Sequence, residues 1–126
     1  MTLCDGCFDP IHYGHIRYLV EAAKIGRKPL VVRIAPDDAI RAKGREPFQT
    51  QSERARTVLA IGVVDDVRCI DTLALAITQL RPAYLVKGRD WEGRLPAEVL
   101  AACQDTGTTI VYVATQERSS SERLSA

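Results

Sequence analysis

The chain has 126 residues, the usual size of one domain, and its 46% hydrophobic and 26% charged residues are those of an ordinary soluble protein. The 17 basic and 16 acidic side chains leave a net charge of +1, which argues against broad electrostatic binding of nucleic acids or acidic membranes. No apolar run approaches the roughly 20 residues that span a bilayer, and no signal-peptide pattern opens the sequence. We therefore expect one cytoplasmic domain over residues 1–126 that binds neither nucleic acid nor membrane.

Predicted strands and helices alternate along the whole chain. Short runs of apolar and β-branched residues are typical of buried strands, and segments with apolar residues at helical spacing lie between them. In chain order the sequence predicts a strand at 2–4, a helix at 15–26, a strand at 29–35, a helix beginning at 37, a helix at 50–62, a strand at 65–70, a helix at 72–80, a strand at 83–87, a helix at 95–107, a strand at 108–114 and a closing helical turn at 119–126. This pattern predicts a doubly wound α/β domain with a five-stranded, mainly parallel sheet and helices on both faces.

Several residues are suited to mark helix ends. Thr50 is expected to cap the helix that follows it, and Glu53, three residues later, would complete a capping box. Pro96 is expected in the first turn of the last long helix, with Gly107 just after its end.

Arg33 interrupts the otherwise apolar second strand. A strand buried in a parallel sheet should be apolar on both faces. Arg33 is therefore expected either at a sheet edge or paired with an acid, across the sheet or in a dimer.

The four cysteines are expected to be reduced, because nothing in the sequence indicates secretion. Cys4 and Cys7 form a C-x2-C pair, but a zinc site needs two further ligands, and Cys69 and Cys103 each stand alone. We therefore expect Cys4 to be a core residue of the first strand, and no zinc site.

Both histidines of the chain fall in one segment, G-C-F-D-P-I-H-Y-G-H, at residues 6–15. The segment lies at a predicted strand-to-helix junction, and doubly wound sheets bind ligands beyond the carboxyl ends of their strands. A helix start favours anions, and the imidazoles of His12 and His15 can donate hydrogen bonds to phosphate oxygens. Gly6 would let the chain turn tightly, and Gly14 would let backbone approach a ligand. We interpret the segment as a phosphate-binding turn.

The same segment resembles the G-x-F-D-x-x-H-x-G-H signature of the nucleotidyltransferase superfamily that includes the cytidylyltransferases. Every signature position matches, at Gly6, Phe8, Asp9, His12, Gly14 and His15. Three further segments are similar to segments of the family: S-E-R-A-R-T-V-L-A-I-G-V-V-D-D-V at 52–67, L-V-K-G-R-D-W-E-G at 85–93 and R-S-S-S-E-R-L at 118–124. Segment 85–93 resembles both glycerol-3-phosphate cytidylyltransferase and the adenylyltransferase domain that makes ADP-heptose.

The resemblance implies a Rossmann-like fold and a direct transfer of a nucleoside monophosphate. The phosphate of a small acceptor attacks the α-phosphorus of CTP or ATP, and pyrophosphate leaves without a covalent enzyme intermediate. The protein then mainly positions the reactants and neutralises charge. Mg²⁺ is expected to accompany the triphosphate, held largely by phosphates and water rather than by dedicated metal ligands. Homodimerisation is common among such proteins and is a further expectation.

The resemblance also implies roles for individual residues. His12, His15 and Lys43 would be catalytic, because they would stabilise the charge that develops at the α-phosphate. Lys43 would also hold the acceptor phosphate, together with Arg54, although either cation could instead be a solvated surface charge. Nucleotide contacts are expected from Gly6, Cys7, Phe8, Asp9, Gly14, Lys87, Gly88, Asp90, Ser119, Ser120 and Ser121. Trp91 would either pack beside the nucleotide or cover the domain edge.

These motifs are compatible with three alternative functions. The D-W-E-G string favours transfer of CMP from CTP to a small phosphorylated metabolite such as glycerol 3-phosphate. The alternative, favoured by R-A-K-G-R-E-P-F and V-K-G-R-D, is an adenylyltransferase that uses ATP and a sugar phosphate of the heptose 1-phosphate type. The third is a nucleotide-binding module without turnover. It is suggested by Glu117 and Ala114, which stand where the last family motif usually has glycine and often has arginine.

Overall fold

The computed structural model describes residues 1–114, in which strands and helices alternate as predicted. In chain order they are β1 (Thr2–Gly6), α1 (Tyr13–Ala23), β2 (Leu30–Ile34), α2 (Asp37–Arg41), α3 (Gln51–Leu59), β3 (Asp66–Arg68), α4 (Leu73–Leu80), β4 (Tyr84–Gly88), α5 (Ala97–Thr106) and β5 (Thr109–Val113). A single 3₁₀ turn, Arg89–Trp91, follows β4. No helix in this part of the chain is long and apolar enough to cross a bilayer. The closing turn predicted at 119–126 lies outside the described residues.

The five strands form one parallel sheet in the order β3-β2-β1-β4-β5. From the central β1 the chain runs outward through β2 and β3, and it then returns to the other side of β1 for β4 and β5. The direction of winding therefore reverses between β1 and β4. In sheets of this kind, the crevice beyond the carboxyl ends of those two strands is where ligands bind.

β1 and β4 separate before they reach the carboxyl edge of the sheet. The ladder between β1 and β2 has five residue pairs, whereas the ladder between β1 and β4 has two and ends at Leu3 and Leu85. Beyond that point the buried hydroxyl of Tyr18 accepts a hydrogen bond from the amide of Asp5 at 3.0 Å and donates to the carbonyl oxygen of Val86. One side chain from α1 thus satisfies backbone groups that the parted strands leave unpaired.

The sheet carries an apolar layer on each face, because successive side chains of a strand point to opposite faces. One layer joins the sheet to α1 and α3, and its fully buried members include Cys4, Leu19, Val32, Ile34, Val58 and Val86. The other joins the sheet to α4 and α5, and its fully buried members are Leu3, Ala76, Ile77 and Leu85. Burying each such leucine, isoleucine or valine side chain contributes about 1.5–3 kcal/mol. The predictions of helices on both faces and of Cys4 in the core are confirmed.

The predicted helix ends are confirmed with one exception. Thr50 Oγ1 accepts from the amide of Glu53 at 3.2 Å, and the Glu53 carboxylate accepts from the amide of Thr50 at 3.0 Å, which completes the capping box. Gly107 ends α5 with a φ of +71°. Pro96 was expected inside the first turn of α5, but it is the residue that precedes the helix, because its ψ of 149° is extended.

Candidate functional site

A cleft of about 910 Å³ opens beyond the carboxyl ends of β1 and β4. Its walls come from the β1–α1 turn, the loop after α2, the 3₁₀ turn and the first turns of α4 and α5. The structure brings together eleven of the residues predicted from the sequence, and they are Gly6, Cys7, Phe8, Asp9, His12, Gly14, His15, Lys43, Lys87, Gly88 and Asp90. Arg54 is not among the residues that line it. Ser119, Ser120 and Ser121 lie outside the described residues.

The imidazoles of His12 and His15 lie side by side at the start of α1, with ring centroids 4.0 Å apart. Nδ1 of His12 accepts from the amide of Gly14 at 3.0 Å, and Nδ1 of His15 accepts from the amide of His12 at 3.1 Å. The spacing of three residues thus makes a capping box out of two histidines, a feature that the sequence analysis missed. Because a nitrogen that accepts a hydrogen bond carries no proton, each neutral ring holds its hydrogen on Nε2. Both rings line the cleft.

His15 is neutral at pH 7. Burial lowers the pKa of its imidazole from 6.5 to about 4, and the neighbouring His12 adds to the decrease. The ring of Phe8 contributes to this burial, with its centroid 5.0 Å from that of His15. His15 therefore offers a phosphate a neutral donor of fixed tautomer rather than a positive charge.

The tight turn that the sequence analysis assigned to Gly6 is made by Phe8. Phe8 has a φ of +54°, which is uncommon for a residue with a side chain. Gly6 is needed for another reason, since a Cβ at this position would lie 3.0 Å from the nearest carbon of the Phe8 ring. The Phe8 side chain packs in the core layer beside α1 and is only 2% exposed. Both residues shape the wall of the cleft by packing, and the expected nucleotide contact of Phe8 stays a prediction.

Asp9 was expected to contact the nucleotide, but its carboxylate is fully buried against the loop after α2. It accepts from Arg45 Nη1 at 2.7 Å and from the amides of Phe48 and Gln49 at 2.9 and 3.0 Å. Burial alone would raise the pKa of Asp9, but the hydrogen bonds from Arg45, Phe48 and Gln49 outweigh it and hold the pKa below its usual value. Asp9 therefore tethers the loop that carries Lys43 to the phosphate-binding turn.

Arg54 was expected to reach the acceptor phosphate, but its side chain is 0% exposed. Its guanidinium donates to a carboxylate and to three backbone carbonyls, namely Asp37 Oδ1 at 2.6 Å, Cys7 O at 2.8 Å, Ala35 O at 2.8 Å and Gln49 O at 3.1 Å. No acceptor can approach a group that is enclosed in this way. Arg54 instead joins the ends of β1 and β2 to the start of α3.

Lys43 is exposed at the mouth of the cleft, where its ammonium donates to Sγ of Cys7 at 3.3 Å. An ammonium donor is not a base, so this contact does not activate Cys7 as a nucleophile. The cleft, as far as the structure describes its walls, offers cations and N–H donors. Those are the groups that stabilise transferred phosphates.

A buried charge network crosses the cleft where β1 and β4 part, and it explains Arg33. The carboxylate of Asp5 accepts from Arg33 Nη1 at 2.9 Å and from Lys87 Nζ at 3.1 Å, one cation on each oxygen. Asp5 and Arg33 are partners in the β1–β2 register, so the expectation that Arg33 pairs with an acid across the sheet is confirmed. Asp5 was not among the residues predicted for the site, although it stands directly before Gly6 of the phosphate-binding turn. Lys87 Nζ also lies 4.6 Å from the ring centroid of Trp91, which lines the cleft.

Metal ligands are not clustered in the described part of the chain. Among residues 1–114 no three or more His, Cys, Asp or Glu side chains are arranged to hold a metal ion. Cys4 is buried and Cys7 half-buried, and neither forms a disulfide.

Sequence comparisons find known proteins that are similar to this chain. The profile of the Cytidylyltransferase-like family matches residues 3–122. The bifunctional protein HldE of Campylobacter fetus subsp. fetus is 42% identical over 98 residues, which are 75% of this chain and 21% of that protein. The D-beta-D-heptose 1-phosphate adenylyltransferase of Bordetella bronchiseptica is 36% identical over 97 residues, which are 73% of this chain and 59% of that protein. The chain thus spans about a fifth of the first relative and about three fifths of the second.

A solved structure confirms the Rossmann-like α/β fold class. The lipopolysaccharide core biosynthesis protein from Thermoplasma volcanium GSS1 has a TM-score of 0.75 and 26% sequence identity to this chain. The match covers 94% of this chain and 97% of that protein. The similarity therefore extends over the whole domain and is not confined to the phosphate-binding turn.

Proposed function

The chain belongs to the cytidylyltransferase-like family of nucleotidyltransferases, and on that premise we propose that it transfers the adenylyl group of ATP to a sugar phosphate. The observation that carries the proposal is the His12–His15 pair, whose Nδ1 atoms accept hydrogen bonds from backbone amides and whose imidazoles both line the cleft. The relative named as a heptose 1-phosphate adenylyltransferase favours ATP and a sugar phosphate. This reverses the preference for CTP and glycerol 3-phosphate that the D-W-E-G string suggested.

The proposed reaction is one direct displacement at phosphorus. An oxygen of the acceptor phosphate bonds to the α-phosphorus, the bond from the α-phosphorus to its bridging oxygen breaks, and pyrophosphate leaves with the electron pair. His12 and His15 donate to oxygens whose negative charge changes during the transfer, and the exposed ammonium of Lys43 adds positive charge at the mouth of the cleft. Oriented donors of this kind need no rearrangement when the charge develops.

Mg²⁺ would enter as part of the substrate. The described residues offer carboxylates that are already engaged by cations, such as Asp5 and Asp9, and no clustered metal ligands. A magnesium ion bound mainly by triphosphate oxygens and water fits such a site, because Mg²⁺ usually keeps several waters.

Transfer of CMP from CTP to an alditol phosphate is the second candidate. It is favoured by the D-W-E-G string, because Trp91 lines the cleft instead of covering the domain edge. The protein must recognise adenine in one reaction and cytosine in the other, and the two bases need different contacts. One of the two nucleotides should therefore bind much more tightly than the other.

Ligand-induced thermal stabilisation tests the proposal without knowledge of the acceptor. The wild type is heated with Mg²⁺ and saturating ATP or, separately, CTP. A nucleotide at about 100 times its Kd adds about 2.7 kcal/mol, which raises the Tm of a domain of this size by several degrees. We expect ATP to produce the larger rise, and pyrophosphate to be released when D-β-D-heptose 1-phosphate is added.

Two variants of α1 provide the control. His12→Ala should lose most of the shift caused by ATP, whereas Arg17→Ala, on the exposed part of the same helix, should keep it. The shift is compared rather than the Tm itself, because removing a helix cap costs about 1 kcal/mol on its own. A shift with CTP alone would support the second candidate, and no shift with either nucleotide would contradict both.

A further inference from the structure

The hydroxyl of Tyr18 occupies the place of one ladder hydrogen bond between β1 and β4. The register of these two strands, continued by two residues past the end of their ladder, would pair Asp5 with Lys87. In a parallel ladder, a residue donates from its amide to the carbonyl oxygen of the residue that precedes its partner. The next bond would therefore join the amide of Asp5 to the carbonyl oxygen of Val86.

The bonds that β1 makes to β2 agree with this assignment. Successive residues of a strand direct their backbone N–H and C=O groups alternately toward the two neighbouring strands. The amide of Thr2 donates to the carbonyl oxygen of Pro29 at 3.0 Å, and the carbonyl oxygen of Gly6 accepts from the amide of Ala35 at 3.0 Å. Both bonds lie on the β2 side. Asp5 has an odd number in the same strand, so its amide points toward β4.

The amide of Asp5 donates to the Tyr18 hydroxyl at 3.0 Å, and this hydroxyl donates to the carbonyl oxygen of Val86. Both backbone groups thus keep a partner, with one oxygen atom inserted between them. Burial raises the pKa of Tyr18 well above its usual value, so the hydroxyl keeps its proton and remains a donor. The ring is packed in the apolar layer beside α1, which prevents the hydroxyl from moving aside.

The separation of the two strands determines the width of the cleft at its base, where Tyr18 is part of the lining. β1 leads into the phosphate-binding turn, which begins at Gly6. β4 ends in Lys87 and Gly88, which are expected to contact the nucleotide. A direct bond between the strands would bring their ends toward the spacing of about 4.8 Å found in a regular sheet. The cleft would then be narrower between the two segments that are expected to bind the nucleotide.

Stability alone does not require a tyrosine at this position. A phenylalanine would bury a ring of the same size, and a direct bond between the amide of Asp5 and the carbonyl oxygen of Val86 would satisfy both groups. The tyrosine also lies three residues after His15, on the same face of α1. Its anchored hydroxyl therefore fixes the position of the histidine pair relative to the strand ends. These relationships favour a role in shaping the site.

We propose that Tyr18 is a positioning residue for the nucleotide, because its hydroxyl keeps β1 and β4 apart and the cleft open before the nucleotide binds. The inference rests on the proposed function for the identity of the ligand. Without the hydroxyl, the strands can form one more direct bond, and a nucleotide must break that bond to enter. The apparent affinity then falls in proportion to the fraction of molecules whose strands remain apart.

NMR couplings across hydrogen bonds detect the inserted hydroxyl directly. A direct N–H···O=C bond produces a scalar coupling between the amide nitrogen and the carbonyl carbon, whereas an intervening hydroxyl does not. The wild type should show no coupling between the nitrogen of Asp5 and the carbonyl carbon of Val86, and Tyr18→Phe should show one. A coupling in the wild type would overturn the inference, and this measurement does not depend on the folding of any variant.

Calorimetry with ATP and Mg²⁺ measures the consequence for binding. Tyr18→Phe should raise the Kd for ATP about tenfold or more, as expected when the closed arrangement is favoured about ten to one. Its Tm should change little, because the direct bond replaces the two bonds to the hydroxyl. Tyr84→Phe is the matched control, since it removes a hydroxyl at the amino end of β4, outside the cleft. It should change neither the Kd nor the coupling.

A purely structural role for Tyr18 predicts a different result. The strands would stay apart in Tyr18→Phe, the Tm would fall because two buried backbone groups lose their partner, and the affinity for ATP would be unchanged. That combination would overturn the inference, as would a new coupling without any loss of affinity.

Failure of the proposed function gives a distinct outcome. A wild type that binds CTP but not ATP would support the second candidate function, and the same comparison would then be made with CTP. A wild type that binds neither nucleotide would contradict the proposed function and, with it, a role of Tyr18 in nucleotide binding. The coupling in Tyr18→Phe would still show whether the hydroxyl separates the strands.

Discussion

The guanidinium of Arg54 donates to the carbonyl oxygen of Cys7 at 2.8 Å, although 47 positions separate the two residues. The same nitrogen donates to the carbonyl oxygen of Ala35, also at 2.8 Å. One buried side chain therefore ties together the ends of β1 and β2, from which the phosphate-binding turn and α2 begin. This fully buried cation acts on the protein itself and not on a ligand.

Arg54→Met should be among the most destabilising single changes in this domain. It leaves three carbonyl groups and the carboxylate of Asp37 without their donor, and breaking a buried ion pair costs about 3–5 kcal/mol. Urea denaturation measures the loss in the free energy of unfolding. Arg56→Met, two positions along α3 and exposed, should change it by less than about 0.5 kcal/mol. Equal effects of the two substitutions would show that the clamp does not stabilise the strand ends.

The neutral state of His15 should make stability depend on pH. Its pKa is about 4 in the folded chain and near 6.5 when unfolded, so acid protonates the unfolded chain first. The stability from this group is complete above pH 6.5, decreases as the pH falls from 6.5 to about 4, and does not change further below that. The full difference is at most about 3 kcal/mol.

Comparing the wild type with His15→Asn isolates the contribution of the His15 imidazole to stability. The asparagine side-chain oxygen can still accept a hydrogen bond from the amide of His12. The free energies of unfolding of the two proteins should be closer to each other at pH 4.5 than at pH 7. The reason is that only the wild type loses the contribution of a buried neutral imidazole as the pH falls. Parallel curves for the two proteins would contradict the assignment. The carboxyls of Asp9 and Asp66 do not interfere, since their pKa values lie below the usual 3.8 and they titrate at lower pH.

The helices and strands could be predicted because the sequence patterns that indicate them involve residues close together in the chain. Thr50 and Glu53 stand three positions apart, so a capping box can be recognised from spacing alone, and Gly107 marks the end of a helix in the same way. Alternation of short apolar strands with helical segments predicted the five-stranded sheet. The order of the strands and the early separation of β1 and β4 depend on long-range packing, including the Tyr18 hydroxyl, and no local pattern carries them.

Many residues of the candidate site could be predicted from the sequence, but the partner of each side chain could not. Asp9 and Arg54 look like ligand contacts in a motif, because their partners lie 36 and 47 positions away in the chain. Asp5 was missed for the same reason, since its two cations come from β2 and β4. His12 and His15 were found because both stand in one short segment. Cytoplasmic location, homodimerisation and the roles of Ser119, Ser120 and Ser121 stay predictions.

Asp9→Ala should loosen the loop that carries Lys43. The amides of Phe48 and Gln49 lose their acceptor, and Arg45 loses its ion partner. Loss of such hydrogen bonds costs about 1–3 kcal/mol, so hydrogen exchange of these two amides should become about tenfold faster or more. Asp38→Ala removes an exposed partner of Arg41 and should leave both exchange rates unchanged. Unaltered protection in Asp9→Ala would mean that the loop is held by other contacts.

Gly6→Ala should destabilise the domain through the ring of Phe8 and not through backbone strain. The added Cβ would lie 3.0 and 3.1 Å from two ring carbons, which is closer than packed atoms tolerate, and overpacking of this kind costs about 1–3 kcal/mol. Gly62→Ala is the matched control, because nothing lies within 4 Å of a Cβ there and it should be nearly neutral. Replacing the ring should relieve the clash, so Gly6→Ala should cost less in a Phe8→Leu background than in the wild type. Thermal denaturation of the four proteins of this double-mutant cycle gives the coupling energy between the two positions. A coupling energy near zero would show that the effect of Gly6→Ala does not depend on the Phe8 ring.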